Sequence, residues 1–540
     1  MSAMYLAENV FISYTSLMDG TMLSHGYSGI SIAKRWVLAH GSILAPILLR
    51  SQNFLHLLTT LSPGYLSMIR TSEQLIHDLT FFIHRSQALK EFGKVVAIWK
   101  CPLLKQTLED SFRNWTFRNQ DDFDRLLIPI FLIIKCKSLE SISQTRESEG
   151  PEKQWKFIEN EQEQASEAAD KAKVEHVLLQ LAKQVATGRL TKGAIAELVS
   201  TPFGNPFFLD SVSRGIIGNL LGTNNCLILM DVTSFPGSEG SPVFLINDRG
   251  RRSICGMIIA SLSCCRGEWV NCTFAVNLLP SLKLILQTQL LKNQSRYLTC
   301  TIFPFTWHNR LEIDTLEKCI AIVKCGSNWG TGTLVDEQSG TFITCAHVVT
   351  MAPEARIEIA RSVMSPTGRH EWSADANLIY KTPNGKPYDI AVLRVNRKFL
   401  QSTMKAIKFA EKSVRKGEQI LSIGFPFTSE GRPTITNGVI SKTSSYMFQT
   451  NCCVHSGVSG GPIVRRADFK MLGIIVCNVA SNNGSVSYPR LCMAIPITIL
   501  QRPLNDYLQA ADPKALEKLT EHDVNVTAIW NLRPFLLSNI

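Results

Sequence analysis

The sequence has no apolar run long enough for a membrane helix. Its most apolar stretch, Leu126 to Ile134, falls well short of the roughly 20 residues a span requires, so no membrane span is expected. None of its fifteen cysteines form a C-x-x-C pair, which removes zinc ribbons and thioredoxin-type redox sites. Two adjacent pairs, Cys264-Cys265 and Cys452-Cys453, are poorly placed to bridge each other. No long basic run occurs. The net charge of +11 is mild for 540 residues, so a nucleic-acid partner is not expected. The stretch from Met1 to Asp19 lacks a basic segment followed by an apolar core. With the odd cysteine count, that points to a reducing, intracellular compartment. No metal and no cofactor is expected.

What is present is a globular composition, 45% apolar and 19% charged, on a chain too long for one core. The stretch that carries chemistry is His455-Ser456-Gly457-Val458-Ser459-Gly460-Gly461-Pro462. A serine framed by glycines suits an acyl-transfer nucleophile. Gly457 can adopt backbone angles closed to other residues, which lets the N–H groups of Gly457 and Ser459 converge as an oxyanion hole. A serine hydroxyl is inert without a base, and the base needs an orienting acid. His347, after the strand pattern Thr341 to Cys345, supplies the first. Asp389, before Ile390-Ala391-Val392-Leu393, supplies the second, since a carboxylate beside a buried strand needs a partner. The spacings, 389 − 347 = 42 and 459 − 389 = 70 residues, leave room for the short strands of a two-barrel β protein. Strand alternation is expected to turn Cys345 away from the site.

The first half reads as a second copy. Gly26 to Ile32 with Trp36 to His40 pairs with Gly330 to Leu334 and Ile343 to His347. Val95 to Trp99 pairs with Asp389 to Leu393. Phe203-Gly204-Asn205-Pro206-Phe207 pairs with Ile423 to Phe427, and Gly237 to Val243 with Gly457 to Ile463. In this reading His40 faces His347, Val95 faces Asp389 and Glu239 faces Ser459. The first copy then keeps the histidine and lacks the acid and the nucleophile. Residues 138–195 are an insertion, polar and exposed at first. Val174, Val177, Leu178 and Leu181, spaced i, i+3, i+4, i+7, then predict an amphipathic helix lying on its own domain. Residues 60–93 read as mixed or helical, around Ser72 to His77.

Thr344-Cys345-Ala346-His347, Asp389-Ile390-Ala391-Val392 and Gly457-Val458-Ser459-Gly460-Gly461-Pro462 resemble the three catalytic blocks of chymotrypsin-like serine proteases. The T-x-A-H-V-V form is similar to the Deg/HtrA branch. The whole chain resembles the peroxisomal trypsin-like processing proteases of animals and their plant Deg-type glyoxysomal relative. The resemblance implies a mainly β fold, a chymotrypsin-like double β-barrel present twice. Residues 1–295 would be the degenerate copy and 296–540 the active one. It implies removal of N-terminal leader peptides from peroxisomal matrix precursors, together with self-processing. In such folds the residue six before the nucleophile lies at the base of the S1 pocket. Here that is Cys453, with Val476 and Asn478 on a second wall, a lining for a small neutral P1 residue. A homodimer is a further partner expectation. The resemblance implies a peroxisomal location. The final Ser538-Asn539-Ile540 is a poor targeting signal, and cytosol is the alternative. A Deg-like quality-control protease and a non-catalytic peptide-binding scaffold are the competing readings.

Overall fold

The computed structural model describes the chain except residues 1–5, 19–20, 49–50, 70–78, 87–89, 118–120, 139–166, 262, 266–267, 271, 291–310, 350–355, 366–367, 385, 428–430, 481–486, 521–523 and 531–540. The polar stretch after Ser138, the residues around Ser72 to His77 and the C-terminal tripeptide therefore lie outside the described residues. The chain divides into two compact units, Met1–Trp307 and His308–Ile540. The expected boundary at 295/296 also falls outside the described residues.

In the first unit the strands are β1 (Glu8–Met18), β2 (Thr21–Ala33), β3 (Trp36–His40), β4 (Leu66–Met68), β5 (Thr80–His84), β6 (Lys90–Lys100), β7 (Trp115–Phe117) and β8 (Ile130–Ser138). Because β6 pairs with both β5 and β8, the strands β1-β2-β3-β8-β6-β5 close into a ring, with β4 added alongside β6. Of the region expected to be mixed or helical over 60–93, the described residues include the strands Leu66–Met68, Thr80–His84 and the start of β6. Its short Thr- and Phe-containing runs, such as Thr80-Phe81-Phe82-Ile83, favour a pleated, half-buried surface. Alternate residues point inward, as the two-residue strand period requires. Val10 and Ile12, Phe81 and Ile83, and Ile130, Leu132 and Ile134 fill one core.

A second closed barrel follows: β9 (Ile195–Ser200), β10 (Ser211–Leu221), β11 (Leu227–Met230), β12 (Pro242–Ile246), β13 (Arg252–Ala260) and β16 (Thr273–Asn277), in the order β10-β11-β16-β13-β12-β9. Short strands β14 (Ser263–Cys265) and β15 (Glu268–Val270) pair beside β7. The helix expected from Val174 onward runs from Glu167 to Ala186. Val174, Val177, Leu178 and Leu181 are all buried. It packs on the Leu278–Leu290 helix and on β13 of its own unit, because one apolar face must be covered for the helix to be stable.

The second unit repeats the plan. One barrel is β17 (Ile320–Cys325), β18 (Asn328–Asp336), β19 (Thr341–Thr344), β20 (Ile357–Ser365), β21 (Gly368–Lys381) and β22 (Ala391–Val395), ordered β17-β18-β19-β22-β21-β20. The other is β23 (Gln419–Gly424), β24 (Thr434–Thr443), β25 (Phe448–Thr450), β26 (Pro462–Arg465), β27 (Met471–Ala480) and β28 (Ser487–Pro496), ordered β23-β24-β25-β28-β27-β26. The strand orders of the two units match ring for ring. The fold is mainly β, a chymotrypsin-like double barrel present twice. Closing a ring pairs each of its strands on both sides, so the barrels themselves present no sheet edge.

No disulfide joins the described cysteines, most of which are buried. Burial pushes the Cys136, Cys226 and Cys319 thiols up to about 12, so they act as small apolar core residues.

The matching registers correct three of the expected correspondences. The Ser28 hydroxyl donates to the Gly237 carbonyl at 3.0 Å, as Thr331 donates to Gly457 at 2.8 Å. Counting along β2–β3 and β18–β19 from that pair sets Leu38 with Ile343, Ala39 with Thr344 and His40 with Cys345. The counterpart of His347 is therefore Ser42. The strand that answers to the one after Asp389 also shifts. By ring order β8, not β6, answers to β22, and the register Ala39↔Leu132 against Thr344↔Ala391 sets Ile130, not Val95, with Asp389. Thr201 donates its N–H to Ser28 as Phe425 does to Thr331. Thr201-Pro202-Phe203 thus matches Phe425-Pro426-Phe427, four residues earlier than the sequence pairing, and Phe203 and Phe427 share a positive φ. The first unit accordingly has Ser42, Ile130 and Glu239 at the three positions. Short motif similarity could not fix these offsets, because a register is set by inter-strand hydrogen bonds.

Candidate active site

His347 lies in a single 3-10 turn, Ala346–Val349, directly after β19. Its neighbours Ala346, Val348 and Val349 are buried, whereas its own side chain is half-exposed. Burying the flanks and exposing the ring holds the imidazole at the barrel mouth. Asp389 stands at the end of a loop whose base is clamped. Thr382 and Ile390 exchange backbone and hydroxyl hydrogen bonds of 2.9–3.3 Å, and buried Tyr388 packs edge-on against Trp530. One Asp389 oxygen accepts the His347 backbone N–H at 2.9 Å, and the other accepts the His347 Nδ1–H. The carboxylate therefore fixes both the position of the residue and the tautomer of its ring, leaving Nε2 as the proton acceptor.

The loop bearing Ser459 is shaped by two glycines with positive φ, Gly457 at 99° and Gly460 at 87°. A Cβ on Gly460 would lie 2.1 Å from the Thr331 carbonyl oxygen, and one on Gly457 would lie 2.3 Å from that of Phe425. Only glycine fits either place. The loop's carbonyls are drawn outward. Phe427 N–H donates to Ser456, the Thr331 hydroxyl to Gly457, Thr331 N–H to Ser459 and the Thr333 hydroxyl to Gly460, all at 2.8–3.0 Å. Turning the carbonyls one way aims the amides the other way. Among the described residues the N–H groups of Gly457 and Ser459 have no protein acceptor. Two such amides beside one serine are ready donors for a developing oxyanion. Replacing Gly460 by Ala is expected to cost at least about 1–3 kcal/mol of stability and to reduce labelling of Ser459 by a fluorophosphonate. A melting curve and labelling at matched folded fraction separate the two effects.

The histidine turn and the serine loop meet at one atom. The Ile475 carbonyl accepts Gly460 N–H at 2.9 Å and the Cys345 thiol at 3.1 Å. Among the described residues no hydrogen bond joins Ser459 to His347, the looser geometry common before substrate binds. Cys345 is not turned away as alternation suggested. β19 ends at Thr344, so Cys345 escapes the strand period, and its thiol is buried beneath the His–Asp pair.

Cys453 is buried, and its thiol lies 3.2 Å from Nε2 of buried His455, whose ring packs at a tilt against Phe427 with centroids 4.7 Å apart. Val476 is buried in β27, and Asn478 follows in the same strand, opposite Cys492. Sequence reading missed His455, Thr331 and Trp329, whose indole N–H reaches the Phe425 carbonyl at 3.4 Å. The signal for Thr331 was its place between Gly330 and Gly332, and that for His455 its place at the head of the serine stretch.

The first unit's corresponding loop copies this frame. Gly237 and Gly240 have φ of 89° and 90°. Gly240 N–H reaches the Ile258 carbonyl at 2.8 Å, as Gly460 reaches Ile475. The difference is Glu239. It is buried, and its carboxylate accepts the Gly237 N–H at 2.9 Å and the Ser261 hydroxyl. The donor that stays open in the second unit is consumed internally here. His40 is buried, taking Ser42 N–H on Nδ1 and facing the Ile128 carbonyl with Nε2, a neutral ring serving as a structural bridge.

Residues 330–474 match the family described as trypsin-like peptidase domain. The chain is similar to the peroxisomal leader peptide-processing protease of Mus musculus, 29% identical over 364 residues, covering 64% of this chain and 61% of that protein. Against the protein of the same name from Homo sapiens it is 30% identical over 361 residues, with 64% of this chain and 61% of that protein covered. It is also similar to the periplasmic serine endoprotease DegP of Escherichia coli, 26% identical over 182 residues, covering 32% of this chain and 34% of that protein. The match thus spans 61% of the length of the first two relatives.

Proposed function

We propose that the chain is a serine endopeptidase whose second unit cuts leader peptides from peroxisomal precursors through His347, Asp389 and Ser459. The observation that carries this reading is the pair of amides on Gly457 and Ser459, which have no acceptor among the described residues, in the unit that also pairs His347 with Asp389. In the mechanism, His347 Nε2 takes the Ser459 proton as Oγ attacks the scissile carbonyl. The two amides then hold the oxyanion. His347 returns its proton to the leaving amine, and water releases the acyl group by the same steps.

The buried Cys453 floor, engaged by His455, supports a small neutral P1 residue. A basic side chain there would be buried without a counter-charge. The names of the mouse and human relatives support leader-peptide substrates and a peroxisomal location. Self-processing and a homodimer complete the reading. For the first unit we propose a docking role, because the barrel frame is kept while Glu239 occupies the donor a substrate carbonyl would need.

The test is incubation of the full chain with leader-bearing and leaderless versions of a peroxisomal precursor, followed by terminal sequencing. One discrete cut, confined to leader-bearing protein and following a small neutral residue, is the expected result. Broad degradation of unfolded proteins with no such cut would favour a quality-control protease instead.

A further inference from the structure

We infer that Cys345, His347 and Asp389 form a binding site for a borderline-soft divalent metal of the zinc class, and that its occupation switches the peptidase off. The inhibitory consequence rests on the proteolytic reading above, whereas the metal site does not. One ligand atom from each of the three residues lies within 4.8 Å of the others. The Nδ1 of His347 faces the carboxylate, and the thiol lies buried below. Sulfur, imidazole nitrogen and carboxylate oxygen are the donor set zinc takes, at about 2.3, 2.0 and 2.1 Å. A tetrahedral ion at those lengths needs donors roughly 3.4 Å apart, so donors now within 4.8 Å of one another need close by no more than about 1.4 Å. The half-exposed His347 ring gives an entry path and an outward position for water as fourth ligand.

The proton balance explains the inhibition. The Cys345 thiol releases its proton to solvent and binds as thiolate. The imidazole proton moves from Nδ1 to Nε2, through solvent, as the metal takes the Nδ1 lone pair. Asp389 remains a carboxylate and exchanges its hydrogen bond for the ion. With hydrogen on Nε2, His347 has no lone pair for the Ser459 proton, so attack stops although the serine is untouched. A thiol donating to the Ile475 carbonyl, two residues before a catalytic histidine, thereby acquires a use that proteolysis leaves unfilled.

The experiment uses the full chain with Zn2+ as inhibitor and Co2+ as the spectroscopic probe. Zn2+ is expected to suppress fluorophosphonate labelling, reversibly on chelation. Cys345→Ser keeps a donor for Ile475 and removes the soft ligand. It should raise the Zn2+ concentration for half-inhibition at least tenfold, the loss common even for outer-shell changes. The difference spectrum of wild type minus Cys345→Ser with Co2+ should contain a thiolate charge-transfer band, which subtracts the other cysteines. The same difference taken in a Ser459→Ala background must keep the band, since the serine is no ligand. That arm stands even if the protein proves to hydrolyse nothing. Cys345→Ala with a melting curve covers the case where the serine variant misfolds. Equal Zn2+ sensitivity of wild type and both variants, or a featureless difference spectrum, overturns the inference.

Discussion

Ser459→Ala is expected to lower kcat by about six orders of magnitude and to abolish fluorophosphonate labelling, leaving the melting temperature unchanged. The size follows from removing a nucleophile whose partners cannot act without it, a unit in which losing one member costs nearly as much as losing all. The unchanged stability follows from local geometry. The Ser459 hydroxyl has no protein hydrogen bond among the described residues, while the backbone bonds that shape the loop, Thr331 N–H to the Ser459 carbonyl among them, survive the substitution. A partly exposed methyl in place of that hydroxyl should change stability by less than about 0.5 kcal/mol. Labelling that persists in the variant would remove Ser459 from the mechanism. Labelling lost together with a collapsed melting curve would make it structural.

Asp389→Asn should reduce kcat by about 10⁴, with a much smaller change in KM. The asparagine carbonyl can still accept the His347 backbone N–H, so the turn stays in place. The amide NH2 then faces Nδ1, and a donor there forces the ring proton onto Nε2, the nitrogen that must accept from Ser459. The loss is therefore one of tautomer rather than of position. Steady-state kinetics of this variant, with burial and fold checked by melting, distinguish the two. A variant that keeps full kcat would mean that the carboxylate only anchors the loop between Thr382 and Ile390. The tautomer account and the metal proposal concern the same nitrogen, since Asp389→Asn and a bound metal would each move the ring proton from Nδ1 to Nε2.

Much of this was legible in the sequence. The glycines around Ser459 announced a loop of positive φ, the order His347, Asp389, Ser459 announced one unit with all three groups, and Gly237 to Val243 announced its copy. The 3.6-residue period at Val174 to Leu181 located a helix, because periodicity is a local property. The correspondence between halves was only approximately legible. His40 resembled His347 by its alanine neighbour, and Val95 to Trp99 resembled Asp389 to Leu393 by its apolar composition. Neither similarity carries register.

The sequence by itself determined a twofold β architecture and the three groups that a serine peptidase requires, since residue type, spacing and order are all it takes to specify them. The tertiary structure alone decided what those groups are worth. Hydrogen bonds between strands set Ser42 and Ile130, not His40 and Val95, at the first unit's positions for base and acid. The fold of one loop left the Gly457 and Ser459 amides open, whereas in its copy the Glu239 carboxylate closed the equivalent donor. Packing beneath the barrel mouth put Cys345 against the His347–Asp389 pair. Apart from the local bonds of Glu239 to Gly237 and the closeness of Cys345 to His347, these relations join residues tens to hundreds of positions apart, and no local pattern encodes them, because the free energy that selects them comes from closing whole barrels.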